Sequence, residues 1–211
     1  MPDQTVDRHL FDKDKRREAR VEAILNAVGA VISRRGASRL SLDDVARSLG
    51  VTKPTLYHYV GGKAQLLGLC LMRVLDVKER LLAEAERCGA NGRDKLERFY
   101  RDYAAYAWSD ASGMPALILT PDIDVETRLA FNRRNLALVE RTRAIIDEGT
   151  RDGSLRVERA ELVENFLIGT ILWGSVSFLQ RAQPIDADVV VDHYLSYLFD
   201  GIAAPDAEPS N

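Results

Sequence analysis

Apolar residues recur at spacings of three and four along most of this chain, which is the periodicity of amphipathic α-helices. In the first helical segment, about Lys13–Arg35, the apolar positions are Val21, Ile24, Leu25, Val28, Val31 and Ile32. The same pattern predicts further helices at about Ser41–Leu49, Lys53–Tyr59, Lys63–Leu82, Lys95–Trp108, Gly113–Leu119, Val125–Glu148, Arg159–Gln180 and Asp186–Gly201. Strand signals are nearly absent, so the sequence predicts an all-α fold.

Breaks in the helical pattern divide the chain into a short head and a longer body. The head is predicted to span residues 13–63 and the body residues 64–204. Residues 1–12 and 205–211 lack the apolar periodicity, and we expect both segments to be flexible tails.

The head contains two short helices joined by a tight turn. Ser41 is placed to cap the first helix, and Asp44, three residues on, is placed to complete a capping box. Gly50 lies just past the end of that helix, where a left-handed residue costs least. Thr52 is placed to cap the second helix, and Pro54 falls in its first turn, where a missing N–H has no intrahelical partner to lose. This order is typical of a helix-turn-helix.

The second helix presents polar side chains on its outer face. They supply a cation, a hydroxyl and phenols, on Lys53, Thr55, Tyr57, His58 and Tyr59. Such a face suits docking in the major groove, where the first residues of the helix meet base edges and the rest meet phosphates. Lys63 then opens the next helix, whose free N–H groups favour a phosphate.

These residues carry a family resemblance. The segment GVTKPTLYHYVGGKAQLL is similar to the recognition-helix signature of the tetracycline-repressor (TetR) family of bacterial transcription regulators, and the resemblance covers about Arg17–Leu67 in detail. It implies that the head binds DNA as a three-helix helix-turn-helix domain and that the body binds a ligand and dimerises. It implies base-edge or near-base contacts from Lys53, Pro54 and Thr55. It also implies phosphate contacts from Ser41, Thr52, Tyr57, His58, Tyr59 and Lys63.

Two positions depart from the family pattern. Gly62 stands where members usually have Ser or Asn as a helix cap, and Ala64 stands where Glu is common. We therefore expect the start of the helix at Lys63 to be less firmly fixed than is usual in the family.

Charge is distributed unevenly between head and body. The whole chain has 29 basic and 32 acidic side chains, a net charge of −3. Residues 8–63 hold 12 Lys and Arg against 6 Asp and Glu, a balance of +6, whereas residues 64–211 hold 17 against 24, a balance of −7. A basic head on an acidic body concentrates the attraction for phosphate where the helix-turn-helix lies.

Composition limits the other classes of protein. With 46% apolar and 29% charged residues, the chain of 211 residues is typical of a globular protein with a substantial core. The two cysteines, Cys70 and Cys88, are too far apart for a CxxC motif, and reduced thiols are favoured over a redox sensor. The longest uncharged stretch, Asn165–Gln180, is shorter than the roughly 20 residues of a membrane span. We expect a cytoplasmic protein with no cofactor, no metal site and no membrane contact.

The last two helices are apolar on more than one face. The apolar residues of the first of them are Phe166, Leu167, Ile168, Ile171, Leu172, Trp173, Val176, Phe178 and Leu179. A helix that is apolar all round either runs through a core or shares its second face with another subunit. The resemblance implies a homodimer through these two helices, which matches the two half-sites of a palindromic operator. An intrachain core is the alternative.

The body also contains aromatic residues with a few polar groups, a mixture suited to a mostly apolar ligand pocket. The candidates for contact with a small-molecule effector are Tyr103, Tyr106, Trp108, Met114, Phe131, Asn135 and Trp173. For each of them the alternative is an ordinary core position.

Taken together, these features predict a ligand-responsive regulator of transcription, a dimeric repressor released from double-stranded DNA by an apolar or aromatic effector. A protein that binds DNA without sequence preference is one alternative, although its basic residues should cover the body as well. An enzyme is the other. The three histidines, His9, His58 and His193, have no partner motif for catalysis, so we expect no enzymatic activity.

Overall fold

The computed structural model describes residues 4–109, 112–113, 117–118, 120–179 and 186–201. Within these residues the fold is all-helical, which confirms the predicted class. The helices are α1 (Gln4–Arg35), α2 (Leu42–Ser48), α3 (Lys53–Val60), α4 (Lys63–Cys88), α5 (Gly92–Trp108), α6 (Val125–Asp152), α7 (Ala160–Leu179) and α8 (Ala187–Phe199). A single 3-10 turn, Ala37–Arg39, connects α1 to α2.

Helix α1 is longer than the sequence pattern suggests. It begins at Gln4, so residues 4–12, expected as part of a flexible tail, continue the helix. The physical reason lies in the backbone, because neither proline nor glycine occurs between Gln4 and Val28 to stop the helical ladder from extending upstream.

Helix α6 also continues beyond its predicted end. It passes Gly149, which the sequence suggests as a break, and ends at Gly153. Gly149 has a packing role instead, because a Cβ atom on it would lie 2.6 Å from the Leu155 Cδ1 atom. On the α5 side, a Cβ atom on Gly92 would lie 2.2 Å from the Gly149 nitrogen, so Gly92 lets the backbones of α5 and α6 come into direct contact.

Only part of the helix predicted at residues 113–119 can be compared with the structure. Residues 117 and 118 are helical, whereas residues 114–116 and 119 lie outside the described residues.

The head is built by α1, α2 and α3 around a small apolar core. Val28 from α1, Val45 from α2 and Leu56 from α3 are fully buried there. Helix α4 closes this core with Leu66 and Leu67, also fully buried, and then runs on into the body. The helix that follows the DNA-binding motif is therefore part of both cores.

The body packs α5 against α4, α6, α7 and α8. Leu71 of α4, Leu96 of α5 and Ile146 of α6 are fully buried in this second core. Trp108 donates a hydrogen bond from its indole nitrogen to the Ile171 carbonyl at 2.9 Å and so ties the end of α5 to α7. Among the described residues, no helix has both the length and the apolar character required to cross a membrane.

Candidate DNA interface and ligand cavity

Helix α3 turns one face to the head core and the other to solvent. Leu56 and Val60, four residues apart, are buried and hold the helix in place. At its start, the Thr52 hydroxyl accepts a hydrogen bond from the Thr55 backbone N–H, so the predicted cap is present. The residues on the outer face are all exposed, namely Thr52, Lys53, Pro54, Thr55, Tyr57 and His58. Six of the nine predicted DNA-contacting residues thus share one open surface.

Lys53 is held at the surface by α2. Its ammonium group lies 3.0 Å from the Asp43 carboxylate. The hydrogen bond to Asp43 raises the pKa of Lys53 above its ordinary value, so the lysine stays charged at neutral pH. Both side chains are about half exposed, and an exposed pair of this kind is held weakly enough for Lys53 to move to a nucleic-acid acceptor.

Tyr59 faces α1 rather than the open surface. Its phenol oxygen accepts a hydrogen bond from Arg20, and the Arg20 guanidinium lies 5.8 Å from the centre of the Tyr59 ring. The tyrosine is half-buried as a result. Arg20, which the sequence pattern does not single out, thereby joins the group of side chains beside α3.

Lys63, at the start of α4, contacts both head and body. Its ammonium group donates to the Ser38 carbonyl at 3.0 Å and lies 3.1 Å from the Asp122 carboxylate. Asp122 belongs to the segment that leads into α6. The lysine proposed for phosphate contact therefore has an acidic partner on the body.

The starts of α2 and α4 are capped differently from the sequence expectation, unlike the start of α3. Ser41 occupies the cap position of α2, but its side chain makes no capping hydrogen bond, and the Asp44 carboxylate accepts from Arg47. At α4, the Gln65 side chain accepts from the Gly62 backbone N–H at 2.8 Å. Gln65 thus supplies half of a capping box where Gly62 has no side chain, and the start of α4 is fixed more firmly than we expected.

A cavity of about 260 Å³ lies in the body among α4, α5, α6 and α7. Its apolar wall includes Phe131, Ile168 and Leu172. Three of the predicted ligand residues line it, namely Tyr103, Phe131 and Asn135. The sequence did not indicate the two charged residues that also line it, Lys78 and Glu164.

Lys78 lies in the cavity wall with only 2% of its surface exposed. Its ammonium group donates to the Asn135 side-chain oxygen at 3.1 Å and lies 5.8 Å from the centre of the Tyr103 ring. Burial lowers the pKa of Lys78 to about 8, while the nearby Glu164 carboxylate acts in the opposite direction. The lysine is therefore mostly charged at neutral pH, at a cost in desolvation.

Glu164 of α7 is buried as well, with 3% of its surface exposed. Burial raises the pKa of its carboxyl group, and the charges of Lys78 and Arg143 oppose that shift. The Arg143 guanidinium is 3.9 Å away, which is long for an ion pair. The cavity therefore combines an ammonium, an amide and a carboxylate with apolar walls.

A sequence signal for the buried charges exists. Lys78 follows Val74 by four residues and precedes Leu82 by four, so it occupies a position in the apolar stripe of α4. Glu164 precedes Leu167 by three residues and Ile171 by seven, so it lies on the same, buried side of α7 as those two residues. A charged residue within a buried stripe is an indication of a functional site.

The other predicted ligand residues lie outside this cavity. Tyr106 is partly buried near Arg73, towards the junction of head and body. Trp108 packs against Tyr194 of α8, and Trp173 has 70% of its surface exposed. Met114 lies outside the described residues. Because α7 is apolar on nearly every side, the sequence pattern does not distinguish the inward face from the outward face that carries Trp173.

Two further cavities are less suited to an effector. One of about 340 Å³ lies at the far end of the body, where the Arg93 guanidinium stacks 4.4 Å over the Phe199 ring. One of about 370 Å³ lies in the head between α1 and α3, beside Arg20 and Tyr59. Neither contains a buried charged side chain like Lys78.

Helices α7 and α8 expose a series of large apolar side chains. They are Leu162, Phe166 and Trp173 on α7, and Val189 and Tyr197 on α8. Their spacings of four, seven and eight residues place them on one side of each helix. Exposed large apolar side chains on one side of a helix are typical of an interaction site.

Comparisons with known proteins agree with this geometry. Residues 24–70 match the sequence model of the family described as bacterial regulatory proteins, tetR family. The chain is 26% identical over 187 residues to the HTH-type transcriptional activator FasR of Mycolicibacterium smegmatis, covering 89% of this chain and 84% of FasR. It is 25% identical over 202 residues to the HTH-type transcriptional repressor KstR2 of Rhodococcus jostii, covering 92% of this chain and 96% of KstR2.

The fold is similar to that of a solved regulator bound to ligand and DNA. The crystal structure of AibR in complex with isovaleryl coenzyme A and operator DNA superposes with a TM-score of 0.71 at 22% identity, covering 85% of this chain and 98% of AibR. The segment that matches the family model, residues 24–70, contains α2 and α3 with the exposed surface described above. The helix-turn-helix head of this chain belongs to the TetR family of bacterial regulatory proteins, and the chain as a whole has the fold of a TetR-type transcriptional regulator.

Proposed function

We propose that this protein is a homodimeric repressor that binds a palindromic operator and is released by a small, largely apolar effector. The observation that carries the proposal is the exposed polar face of α3 on a head that matches the tetR family. Repression is the mode named for KstR2, whereas FasR is named an activator. Such a regulator acts in the bacterial cytoplasm, where the chromosome lies.

In the proposed complex, α3 enters the major groove. Lys53, Pro54 and Thr55, in its exposed first turn, meet base edges. Phosphates are contacted by the side chains around them, which are Ser41, Thr52, Tyr57, His58, Tyr59 and Lys63. Tyr59 makes its contact as a pair with Arg20, because the two side chains are already hydrogen-bonded.

The exposed apolar side chains of α7 and α8 support the homodimer. Phe166 and Trp173 stand on one side of α7, and Val189 and Tyr197 on one side of α8. A twofold axis beside these helices pairs each apolar side with its own copy and removes both from water. Two heads fixed in this way match two half-sites spaced by a turn of DNA.

We assign the effector to the cavity among α4, α5, α6 and α7. Its volume of about 260 Å³ is near the lower limit of roughly 300–1,000 Å³ for small-molecule sites. AibR was crystallised with isovaleryl coenzyme A, a thioester with a short acyl group. If the effector here is such a thioester, the acyl group occupies the cavity and the nucleotide part remains outside.

A continuous set of contacts connects this cavity to the head. Ile118 lines the cavity, and Arg128 of α6 donates hydrogen bonds to the carbonyls of Ile118 and Thr120 at 2.9 and 2.8 Å. The same segment continues to Asp122, which pairs with Lys63. We propose that the effector displaces this segment and that Lys63, with the start of α4, moves with it. The effector must then bind the DNA-incompetent state more tightly than the DNA-competent one.

Selection of DNA fragments from the source genome by the purified protein, at near-physiological salt, tests this proposal. The expected result is a palindrome enriched near particular promoters. A Tyr57→Ala variant should recover far less DNA under the same conditions, since it lacks a phosphate contact. Recovery of no enriched sequence by the parent protein would contradict a sequence-specific regulator and favour nonspecific binding.

A further inference from the structure

The effector cavity contains more hydrogen-bonding capacity than an apolar effector can use. The Lys78 ammonium has three N–H donors and, within the described part of the chain, donates one of them to Asn135. The Glu164 carboxylate lines the same cavity, with Arg143 at 3.9 Å as its nearest cation among the described residues. Both side chains are more than nine-tenths buried.

A saturated hydrocarbon in this cavity offers no hydrogen bond to the remaining Lys78 N–H groups or to the Glu164 carboxylate. It excludes water from the ammonium and the carboxylate and provides no hydrogen bond in return, which is unfavourable for any charged group. An effector that provides an acceptor to Lys78 avoids that loss. Selectivity of this kind is strong, because the penalty falls on every analogue that lacks the acceptor.

The charges of the cavity also indicate which acceptor fits. Lys78 contributes a positive charge and Glu164 a negative one, and beside them Arg143 is balanced by Glu140 at 2.9 Å, so these four side chains leave no net charge for an anionic effector group to neutralise. A second carboxylate placed beside Glu164 is repelled by it. A carbonyl accepts from Lys78 without that repulsion, and a hydroxyl can in addition donate to Glu164.

We propose that the part of the effector inside the cavity is a compact hydrocarbon body that carries a neutral oxygen, a carbonyl or a hydroxyl, as the hydrogen-bond acceptor for Lys78. This inference rests on the proposed function, in which the cavity is the effector site. Asn135 positions the Lys78 side chain, and Tyr103 and Phe131 contact the hydrocarbon body.

A set of matched probes tests the proposal on the parent protein. The probes are 4-butylcyclohexanone, 4-butylcyclohexanol and 1-butyl-4-methylenecyclohexane, which share size and shape and differ in the oxygen. Dissociation constants are measured by ligand-observed NMR. The dissociation constant of the ketone or the alcohol should be lower than that of the methylene compound by a factor of about ten or more. The reason is that removal of the oxygen removes a hydrogen bond to a charged group. Equal binding of all three probes would overturn the proposal.

Variants locate the effect at Lys78. Lys78→Met should remove the preference for oxygen and leave the methylene compound bound as before. The matched control is Lys95→Met, which removes a partly buried lysine that pairs with Glu148 outside the cavity and should keep the preference. A preference retained in Lys78→Met would overturn the proposal. Because the parent protein alone distinguishes the probes, the test holds even if a variant fails to fold.

A third variant separates this inference from the proposed function. Ile168→Trp fills the cavity and should abolish binding of every probe. Equal binding of the three probes by the parent, lost in Ile168→Trp, would overturn the polar acceptor but keep the cavity as the effector site. Probe binding that is unchanged in Ile168→Trp would overturn both.

Discussion

Lys53 in the head and Lys78 in the body each lie near a carboxylate, but their surroundings differ. Lys53 pairs with Asp43 at the surface, and both side chains are about half exposed. Lys78 lies 2% exposed in a cavity wall that it shares with Glu164, which is also buried. In the head, an interaction with solvent or another ion can replace the partner at little cost. In the body, a charge that loses its partner stays desolvated.

This difference suits the two tasks that we propose for the molecule. In the proposed complex, the exposed Lys53 leaves its carboxylate for DNA at little cost. The buried Lys78 requires an incoming group of matching chemistry, so the proposed effector site discriminates between small molecules. We expect substitutions in the head to change DNA affinity and substitutions in the cavity to change stability and ligand choice.

The largest effect is expected at the exposed apolar side of α7. In a Phe166→Glu/Trp173→Glu variant, four carboxylates meet at the proposed twofold axis and prevent dimerisation. Operator affinity should then fall by roughly 10²-fold or more, because the second head no longer binds as part of the same molecule. Light scattering gives the mass, and fluorescence anisotropy gives the affinity.

Leu136→Glu is the matched control, because Leu136 is also an exposed apolar residue but belongs to α6 and not to the two helices of the proposed interface. It should remain dimeric with unchanged operator affinity. A Phe166→Glu/Trp173→Glu protein that is still a dimer would move the interface elsewhere and end the assignment of Trp173 to it.

The next effect concerns the cost of the buried charges. A Lys78→Met/Glu164→Gln variant replaces them with uncharged side chains of similar length, and its free energy of unfolding should exceed that of the parent by about 1–4 kcal/mol. Thermal and urea unfolding at neutral pH measure the difference. A less stable variant would show that the two charges support the fold and would weaken the contrast between head and body.

The pH dependence of stability isolates the contribution of Lys78. Its pKa is about 8 in the fold and 10.5 ordinarily, so below pH 8 it is protonated in both states and its full cost is present. Between pH 8 and 10.5 the unfolded chain binds a proton that the folded chain does not, and the free energy of unfolding of the parent rises. The more stable Lys78→Met/Glu164→Gln variant lacks this titration, so the stability gap between it and the parent should narrow across this window. A gap that stays constant from pH 7 to 10.5 would contradict the lowered pKa.

A fourth test distinguishes two kinds of contact within the head. Lys53→Ala should change the preferred base at one operator position, with discrimination there reduced about tenfold or more. Tyr57→Ala should weaken binding to all sequences alike, because a phosphate contact carries no sequence information. Binding-site selection with each variant gives the comparison. The same consensus from Lys53→Ala as from the parent would reassign Lys53 to phosphate or solvent.

The smallest effect is expected at the contact between head and body. Asp122→Asn removes the acidic partner of Lys63 and should strengthen operator binding only a few-fold, because partly exposed ion pairs contribute less than about 1 kcal/mol. Glu126→Gln removes the same charge nearby and is the control. If both variants changed operator affinity equally, the effect would come from general electrostatics and not from the pair with Lys63.

The head could be predicted from sequence because its interactions are local. The Thr52 cap, Pro54 in the first turn and the buried Leu56 and Val60 all lie within one stretch of nine residues. Spacing alone specifies which side of such a helix faces outward. The missed detail, Gln65 as the cap partner of Gly62, is also local, and it could have been found from its position three residues after the cap.

The cavity could be predicted only in part, because its residues come from distant parts of the chain. Lys78 and Asn135 are 57 residues apart in sequence and meet through the packing of α4 against α6. Tyr103, Phe131 and Asn135 were predicted from residue type. The presence of Lys78 and Glu164 in the same cavity depends on how the helices around it pack. Trp173 was predicted as a ligand residue but is exposed. An aromatic residue on a helix that is apolar all round gives no indication of the side it faces.

The ratio of the affinities for a palindromic operator and for a scrambled duplex shows whether the head reads base sequence. The parent protein is titrated with the strongest palindrome from the genomic selection and with a scrambled duplex of equal length and composition, at the same near-physiological salt. A head that reads bases should prefer the palindrome by a ratio of about 10³ or more. A ratio near one would show that the head binds phosphates without reading bases, and it would contradict a sequence-specific regulator.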